Sequence, residues 1–311
     1  MHPAYSVIFF TTSSGAGYGL LALLGILNIG DYLPNDKWFF LVALFLSLSL
    51  ITLGLLSSTL HLGHPERAWR ALSQWKTSWL SREGIVAILT YIPACAMALG
   101  WIIIEKTNGL YMVMGILAAI GSFVTVYCTS MIYASLKAIP AWTLSLVPIL
   151  YLFLSITTGS LILITMLCAF GSKILGLSIF CLLTLLITIF LKIKYWKILD
   201  LMPDNSNIES ATGLGDIGKV HVLEKPHTSE NYLQQEMGFQ IARKHTEKLR
   251  KIVLISLFVL PVILISLTFL IPTISFMLTI VAVVTATIGI SIERWLFFAE
   301  AKHVVMSYYE A

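Results

Sequence analysis

Eight runs of about 20 apolar residues divide this chain, and each is long enough to cross a bilayer as a helix. Their approximate limits are 5–29, 38–60, 83–104, 109–132, 145–169, 172–192, 252–271 and 273–293. The runs are continuous, whereas a membrane β-barrel is written in shorter strands of alternating polarity. Only 12% of the residues are charged, against roughly 25% in soluble domains. The sequence therefore predicts an all-α polytopic membrane protein, a bundle of eight transmembrane helices forming one integral-membrane domain over residues 1–311. Pro34-Asn35-Asp36, Gly109, Gly171 and Pro272 fall between runs, where turns are required. Residues 1–35 carry no Lys or Arg, so the first run is expected to stay as a span and not to be cleaved as a signal peptide.

Charge gives the bundle a direction. With eight spans, the termini and the connections 2–3, 4–5 and 6–7 share one side, and they hold 17 of the 20 Lys and Arg residues. The other side holds Lys37, Lys106 and Lys173. Basic residues accumulate on the cytoplasmic face of inner membranes. Both termini and the connection 61–82 are thus expected in the cytoplasm of a bacterial cell. The connector 193–251 is the one sizeable polar region. Its stretch 229–251 sets Tyr232, Met237, Ile241 and Leu249 among charged residues, as in an amphipathic helix on the membrane surface or a docking surface for a soluble partner.

The four cysteines, Cys95, Cys128, Cys168 and Cys181, lie in four different apolar runs without metal-ligand spacing, and read as small core residues. Of the seven histidines only His61 adjoins a span interior, so a haem held by two histidines is not expected, nor is a metal. Membrane lipid surrounds such a chain; nucleic acid is not an expected partner.

Chemistry concentrates at the boundary between the second and third runs. His61-Leu62-Gly63-His64-Pro65-Glu66-Arg67-Ala68-Trp69-Arg70 is followed by Ser81-Arg82-Glu83-Gly84. Ionisable groups beside hydrocarbon are costly and commonly functional. His61 can exchange a proton near neutral pH. Glu83, opening the third span, needs a partner or a proton. Pro65 and Glu66 suit the start of a short helix, with Ala68, Trp69 and Leu72 toward lipid and Arg67 and Arg70 free for polar partners. Trp69, Trp75 and Trp79 fit an interfacial belt. The same residues also suit an internally paired loop that only caps and anchors its helices. In the first span, Thr11-Thr12-Ser13-Ser14-Gly15 is followed by Gly17 and Gly19. That pattern fits close helix packing, or hydroxyls lining a polar pocket.

The run Thr59 to Ala71, with Ser78-Trp79-Leu80-Ser81-Arg82-Glu83-Gly84, resembles the DmsC-type anchor subunits of molybdenum oxidoreductases. The stretch from Pro3 to Thr12 fits the same family, and eight spans agree with it. The motif covers about 25 residues; the resemblance extends over essentially the whole chain. It implies an anchor that exchanges electrons with a membrane quinone, ubiquinone or menaquinone. Molybdopterin and iron–sulfur clusters are then confined to the partners, a molybdopterin catalytic subunit and a ferredoxin-like iron–sulfur subunit. It carries the quinone-site positions onto His61 and Glu83. Arg67 and Arg82, with Thr12 and Ser13 of the first span, are further candidates around the quinone; His64, Glu66 and Arg70 are candidates for partner docking. Within the family the wording looks more like the sulfite-oxidising branch than the dimethyl sulfoxide-reducing one. A secondary transporter is the reading from another class. It would place charges or broken helices at mid-membrane, whereas here charges gather at span ends.

Overall fold

Two side chains decide where two of the spans begin. The Asp36 carboxylate accepts the Trp38 N–H at 2.7 Å, and the Ser78 hydroxyl accepts the Ser81 N–H at 3.4 Å. Such caps satisfy backbone donors that a helix leaves open at its start. The computed structural model describes residues 4–61, 64–172, 174–202, 208–221, 223–224 and 241–308. Among these, eight helices are long and apolar enough to cross a membrane. They are α1 (Tyr5–Leu27), α2 (Lys37–Ser57), α3 (Trp79–Ala98), α4 (Leu110–Ala134), α5 (Leu146–Ala169), α6 (Leu175–Asp200), α7 and α8 (Ser275–Ala299). Helix α7 runs from Ile241–Val253 through a wider π-helical segment, Leu254–Val259, into Leu260–Leu270.

Helix α1 is the axis of the bundle, packed against α2, α4, α5 and α8. Helix α3 lies on α4, α6 and α8 flank α5, and α7 pairs with α8. Lipid is as apolar as leucine, so such helices associate through close packing and interhelical hydrogen bonds. Both are present. Gly19 and Gly159 meet backbone to backbone, and Gly25 meets the Gly115 carbonyl. A side chain at Gly19 would collide with the Ser155 carbonyl. Hydroxyls stitch the same interfaces. Ser13 donates to the Leu50 carbonyl at 2.8 Å, Ser47 to Gly17 at 2.9 Å and Ser155 to Gly15 at 2.7 Å.

The turns are tight where the sequence marks them. Gly109 opens α4 with φ 58°, a backbone region that a Cβ disfavours. The ends of several spans differ from the apolar count. Helix α3 starts at Trp79, four residues before Glu83, because Ser78 provides the cap. Helices α6 and α8 continue to Asp200 and Ala299. Hydropathy stops at a charge, but these charges pair inside the bundle and the helices run on. Residues 193–200, at the start of the stretch 193–251, are thus helical. Of its amphipathic stretch, 229–240 lies outside the described residues and 241–251 is helical. Among the cysteines, Cys128 and Cys181 are buried, but Cys95 is exposed on α3 and Cys168 is partly so.

Candidate functional site

The cap at Ser78 pulls Glu83 one turn into α3, about 6 Å along the helix. There its side chain is buried, at 4% exposure. Its partner is Thr129 of α4, whose hydroxyl donates to Glu83 Oε1. The same hydroxyl lies 3.0 Å from the Thr125 carbonyl. Helices α3 and α4 thus hold the carboxyl by a single hydroxyl group. Gly84, beside it, leaves room for Leu72, whose methyl packs against α3. Leu72, expected toward lipid, is partly buried against α3. Trp69 is exposed.

Thr129 also lines a cavity. A cleft, part of it open to the outside, lies between α1, α4, α5 and α8. Thr11, Thr12, Ser14, Thr129, Tyr151 and Arg294 give it a polar wall, and Val126, Leu154 and Ile290 an apolar one. The hydroxyls of Thr11, Thr12 and Ser14 turn back onto carbonyls one helical turn earlier. Tyr151 differs: its hydroxyl is buried beside the Arg294 guanidinium and finds no acceptor for its own proton. Thr12, Tyr151, Thr129 and Arg294 lie near the start of α1, the start of α5 and the ends of α4 and α8. In an eight-span bundle these ends share one side, the side of the connection 61–78.

Behind the cavity is a buried charge cluster. Lys192 of α6 and Arg294 of α8 both bond Glu293, with side-chain exposures of 1%, 3% and 0%. Lys192 Nζ lies 4.6 Å from the Tyr195 ring centre, and the Arg294 guanidinium 4.3 Å from that of Tyr151. Two basic side chains thus share one carboxylate, and aromatic faces lie against both of them. Closer to the bundle end, Arg250 of α7 clamps Asp200 and Glu300. Its guanidinium makes two bonds of 2.8 and 2.9 Å to Asp200, and two of 3.0 and 3.1 Å to Glu300. Glu300 lies just past α8, and burial raises its carboxyl above the ordinary value while Arg250 opposes that rise.

The predicted residues separate into groups. Thr12 lines the cavity, and Glu83 stands behind Thr129 at its edge. Ser13 does not line it; its hydroxyl joins α1 to α2. Arg82 is a brace. It donates to the carbonyls of Trp75 at 2.9 Å and Lys76 at 2.7 Å, and stacks on Trp79. Arg67, Arg70, His64 and Glu66 are exposed on the 3-10 segment Pro65–Gln74. There His64 Nδ1 meets Glu66 at 3.0 Å, and Arg67 lies 3.7 Å from the same carboxylate. His61 closes the 3-10 turn Ser58–His61; its side chain lies outside the described residues.

Sequence reasoning missed Thr129, Tyr151, Lys192, Glu293 and Arg294. The apolar count ends one run on Lys192 and leaves Arg294 just past another, and the basic tally assigns both to connections, yet both lie inside spans. Both stand within about two helical turns of the span ends on one side of the bundle. Taking these two from the basic tally leaves its sign unchanged. The available signal was the adjacent Glu293-Arg294 pair within an apolar run. Among the described residues no group of three His, Cys, Asp or Glu side chains could hold a metal ion.

These features define a polytopic helical membrane protein with one polar site toward one face of its bundle. A family model described as DMSO reductase anchor subunit (DmsC) matches residues 1–299, and the chain belongs to that family. It is also similar to a subunit of the sulfite dehydrogenase of Allochromatium vinosum. The two are 32% identical over 330 residues, which cover 100% of this chain and 99% of that one. The resemblance carried by residues 59–84 thus extends over the whole chain.

Proposed function

We propose that this chain is the membrane anchor and quinone-reactive subunit of a three-subunit molybdenum and iron–sulfur oxidoreductase, passing electrons from sulfite oxidation to membrane quinone. Family membership and the full-length similarity to a sulfite dehydrogenase subunit support the class and the substrate. One observation carries the site: a cavity within the membrane bundle with apolar walls, a cationic edge and the Thr129–Glu83 pair at its rim. Apolar walls suit a flat ring, and polar groups suit oxygens on that ring. The Tyr151 hydroxyl, whose proton has no acceptor within the chain, is a further sign that an oxygen belongs there.

A quinone supplies the acceptor for two electrons and two protons. The chain's own residues handle the protons and the geometry. Glu83 exchanges a proton with the cavity through the Thr129 hydroxyl, and His61 serves as the second proton-exchanging group, next to the connection. Electrons arrive from an iron–sulfur cluster of the partner subunit. The exposed 3-10 segment with His64, Glu66, Arg67 and Arg70 is the docking surface for that partner, and Arg82 holds the segment on α3. The basic tally supports a cytoplasmic position in a bacterium for this face, both termini and the partners. Protons would then be drawn from that side.

Turnover of the assembled complex tests the site. His61→Ala and Glu83→Gln are each expected to abolish quinone-coupled turnover while leaving electron transfer to a soluble artificial acceptor. Intact quinone turnover in both variants overturns the assignment. A reporter fused at residue 311 is expected to read cytoplasmic. The family's description as a dimethyl sulfoxide reductase anchor favours a second reading, with quinol oxidised instead. A twin-arginine signal on the catalytic partner would favour that reading, because the partners would then be exported.

A further inference from the structure

We propose that Tyr151 and Arg294 form the donor pair that holds one carbonyl oxygen of the quinone ring in the cavity between α1, α4, α5 and α8. The inference deepens the quinone-reactive reading and rests on it.

Three observations converge. The Tyr151 hydroxyl is buried, lines the cavity beside the Arg294 guanidinium, and finds no acceptor for its own proton. A buried donor left open costs roughly 1–3 kcal/mol, and native proteins seldom retain one without a use. Arg294 lies against the same ring, its guanidinium 4.3 Å from the Tyr151 ring centre, and lines the same cavity. Its Nε donates to Glu293, one of five N–H donors that a guanidinium offers. Both groups are donors, so the ligand atom that suits them is an acceptor with two lone pairs. A carbonyl oxygen is such an atom. The other cavity hydroxyls already donate to backbone carbonyls, as Ser155 does to Gly15 and Thr158 to Leu154.

The buried cluster explains why Arg294 keeps its position. Glu293 holds it from the adjacent residue, and Lys192 holds Glu293 from α6. Lys192 and Glu293 are positioning residues; Tyr151 and Arg294 touch the ligand. The site then has two functions on different walls. Tyr151 and Arg294 fix an oxygen from α5 and α8, while Thr129 and Glu83 serve a proton from α4 and α3.

The test uses the detergent-solubilised complex and the tighter-bound of decyl-ubiquinone and menadione, with binding measured by calorimetry. Tyr151→Phe is expected to weaken binding about tenfold, the loss of one buried hydrogen bond. It should leave thermal stability equal or raised, because a buried hydroxyl whose proton has no acceptor is removed. Arg294→Lys is expected to weaken binding by a similar factor, since lysine keeps the charge but loses the planar fork. Ser178→Ala removes an unpartnered buried hydroxyl, on α6, and is expected to leave binding unchanged. An azido-ubiquinone photolabel is expected to mark peptides of α1, α5 or α8 around the cavity.

Wild-type affinity in both Tyr151→Phe and Arg294→Lys overturns the proposal, as does a label confined to other helices or blocked by co-purified lipid. If Arg294→Lys fails to assemble, Tyr151→Phe and the label decide. Loss of turnover in the His61 and Glu83 variants with unchanged binding in Tyr151→Phe would remove this pair while leaving the quinone-reactive reading in place. No binding of either quinone by the wild-type complex would remove both.

Discussion

The Thr129 hydroxyl serves two acceptors, the Glu83 carboxyl of α3 and the Thr125 carbonyl of its own helix. A hydroxyl has one proton to give. Both contacts are satisfied together only when the carboxyl carries a proton and donates it to Thr129. Loss of that proton turns the Thr129 hydroxyl toward Glu83 and away from Thr125. The pair therefore couples the proton content of α3 to a backbone bond of α4.

Removing the hydroxyl separates structure from chemistry. Thr129→Val leaves a buried carboxyl without its donor, so the complex is expected to lose about 1–3 kcal/mol of stability. Thr129→Ser is expected to retain wild-type behaviour. Glu83→Gln keeps an acceptor for Thr129 and is expected to melt near wild type while quinone-coupled turnover is lost. Thermal melts and turnover of the purified complex check all three. A Thr129→Val complex that is as stable as wild type would show that the bond contributes nothing.

The charge cluster predicts an asymmetry. Glu293→Gln leaves Lys192 and Arg294 buried beside each other without an anion. Breaking a buried pair in this way costs roughly 3–5 kcal/mol, and the yield of assembled complex is expected to collapse. Lys192→Met leaves the Glu293–Arg294 pair intact and substitutes an apolar chain of similar length. Its melting temperature is expected to fall much less. Equal losses in the two variants would contradict the cluster.

Two glycines of α1 are expected to respond differently to the same methyl group. At Gly19 a Cβ meets the Ser155 backbone, and α1 and α5 must separate. Gly19→Ala is expected to cost about 1–3 kcal/mol through overpacking. At Gly15 there is nothing within 4 Å, and the residue lines the cavity. Gly15→Ala is expected to leave the melting temperature unchanged while narrowing the cavity and weakening quinone binding. Paired melts and binding isotherms distinguish the sites.

A pH dependence is expected just past α8. His303 Nδ1 accepts the Val305 N–H at 3.1 Å, and burial holds its imidazole below the ordinary value of 6.5. The folded chain thus binds a proton less readily than the unfolded one. The stabilisation is full above pH 6.5 and declines as the pH falls toward the lowered folded value. Melting temperatures of wild type and His303→Gln, taken from about pH 8 to about pH 5, are expected to diverge least at the acid end. Parallel curves would remove His303 as the source.

The spans were legible because a bilayer demands about 20 apolar residues whatever their order. Glu83 was legible because a carboxylate near hydrocarbon is costly. Its depth was not, since that depends on the Ser78 cap moving the helix start by a turn. Thr129 and Tyr151 could not be singled out, because Thr and Tyr are ordinary in a span until a neighbouring helix gives them a partner or leaves them without one. Lys192 and Arg294 were misplaced for a related reason. Hydropathy scores each charge alone, while the fold neutralises them through Glu293. Gly15-x-x-x-Gly19 has the pattern of a packing face, but only at Gly19 would a Cβ collide; a Cβ at Gly15 would enter open space.

Arg250 gives the long connector a common root. Asp200 ends α6, Glu300 follows α8, and Arg250 on α7 grips both. The connector leaves the bundle at one side of this joint and returns at the other. Any leverage that a bound protein exerts on it is therefore delivered to α6, α7 and α8 together. Lys192 and Glu293 hang about two helical turns below the same joint. The soluble face and the buried cation at the cavity are therefore linked through this joint.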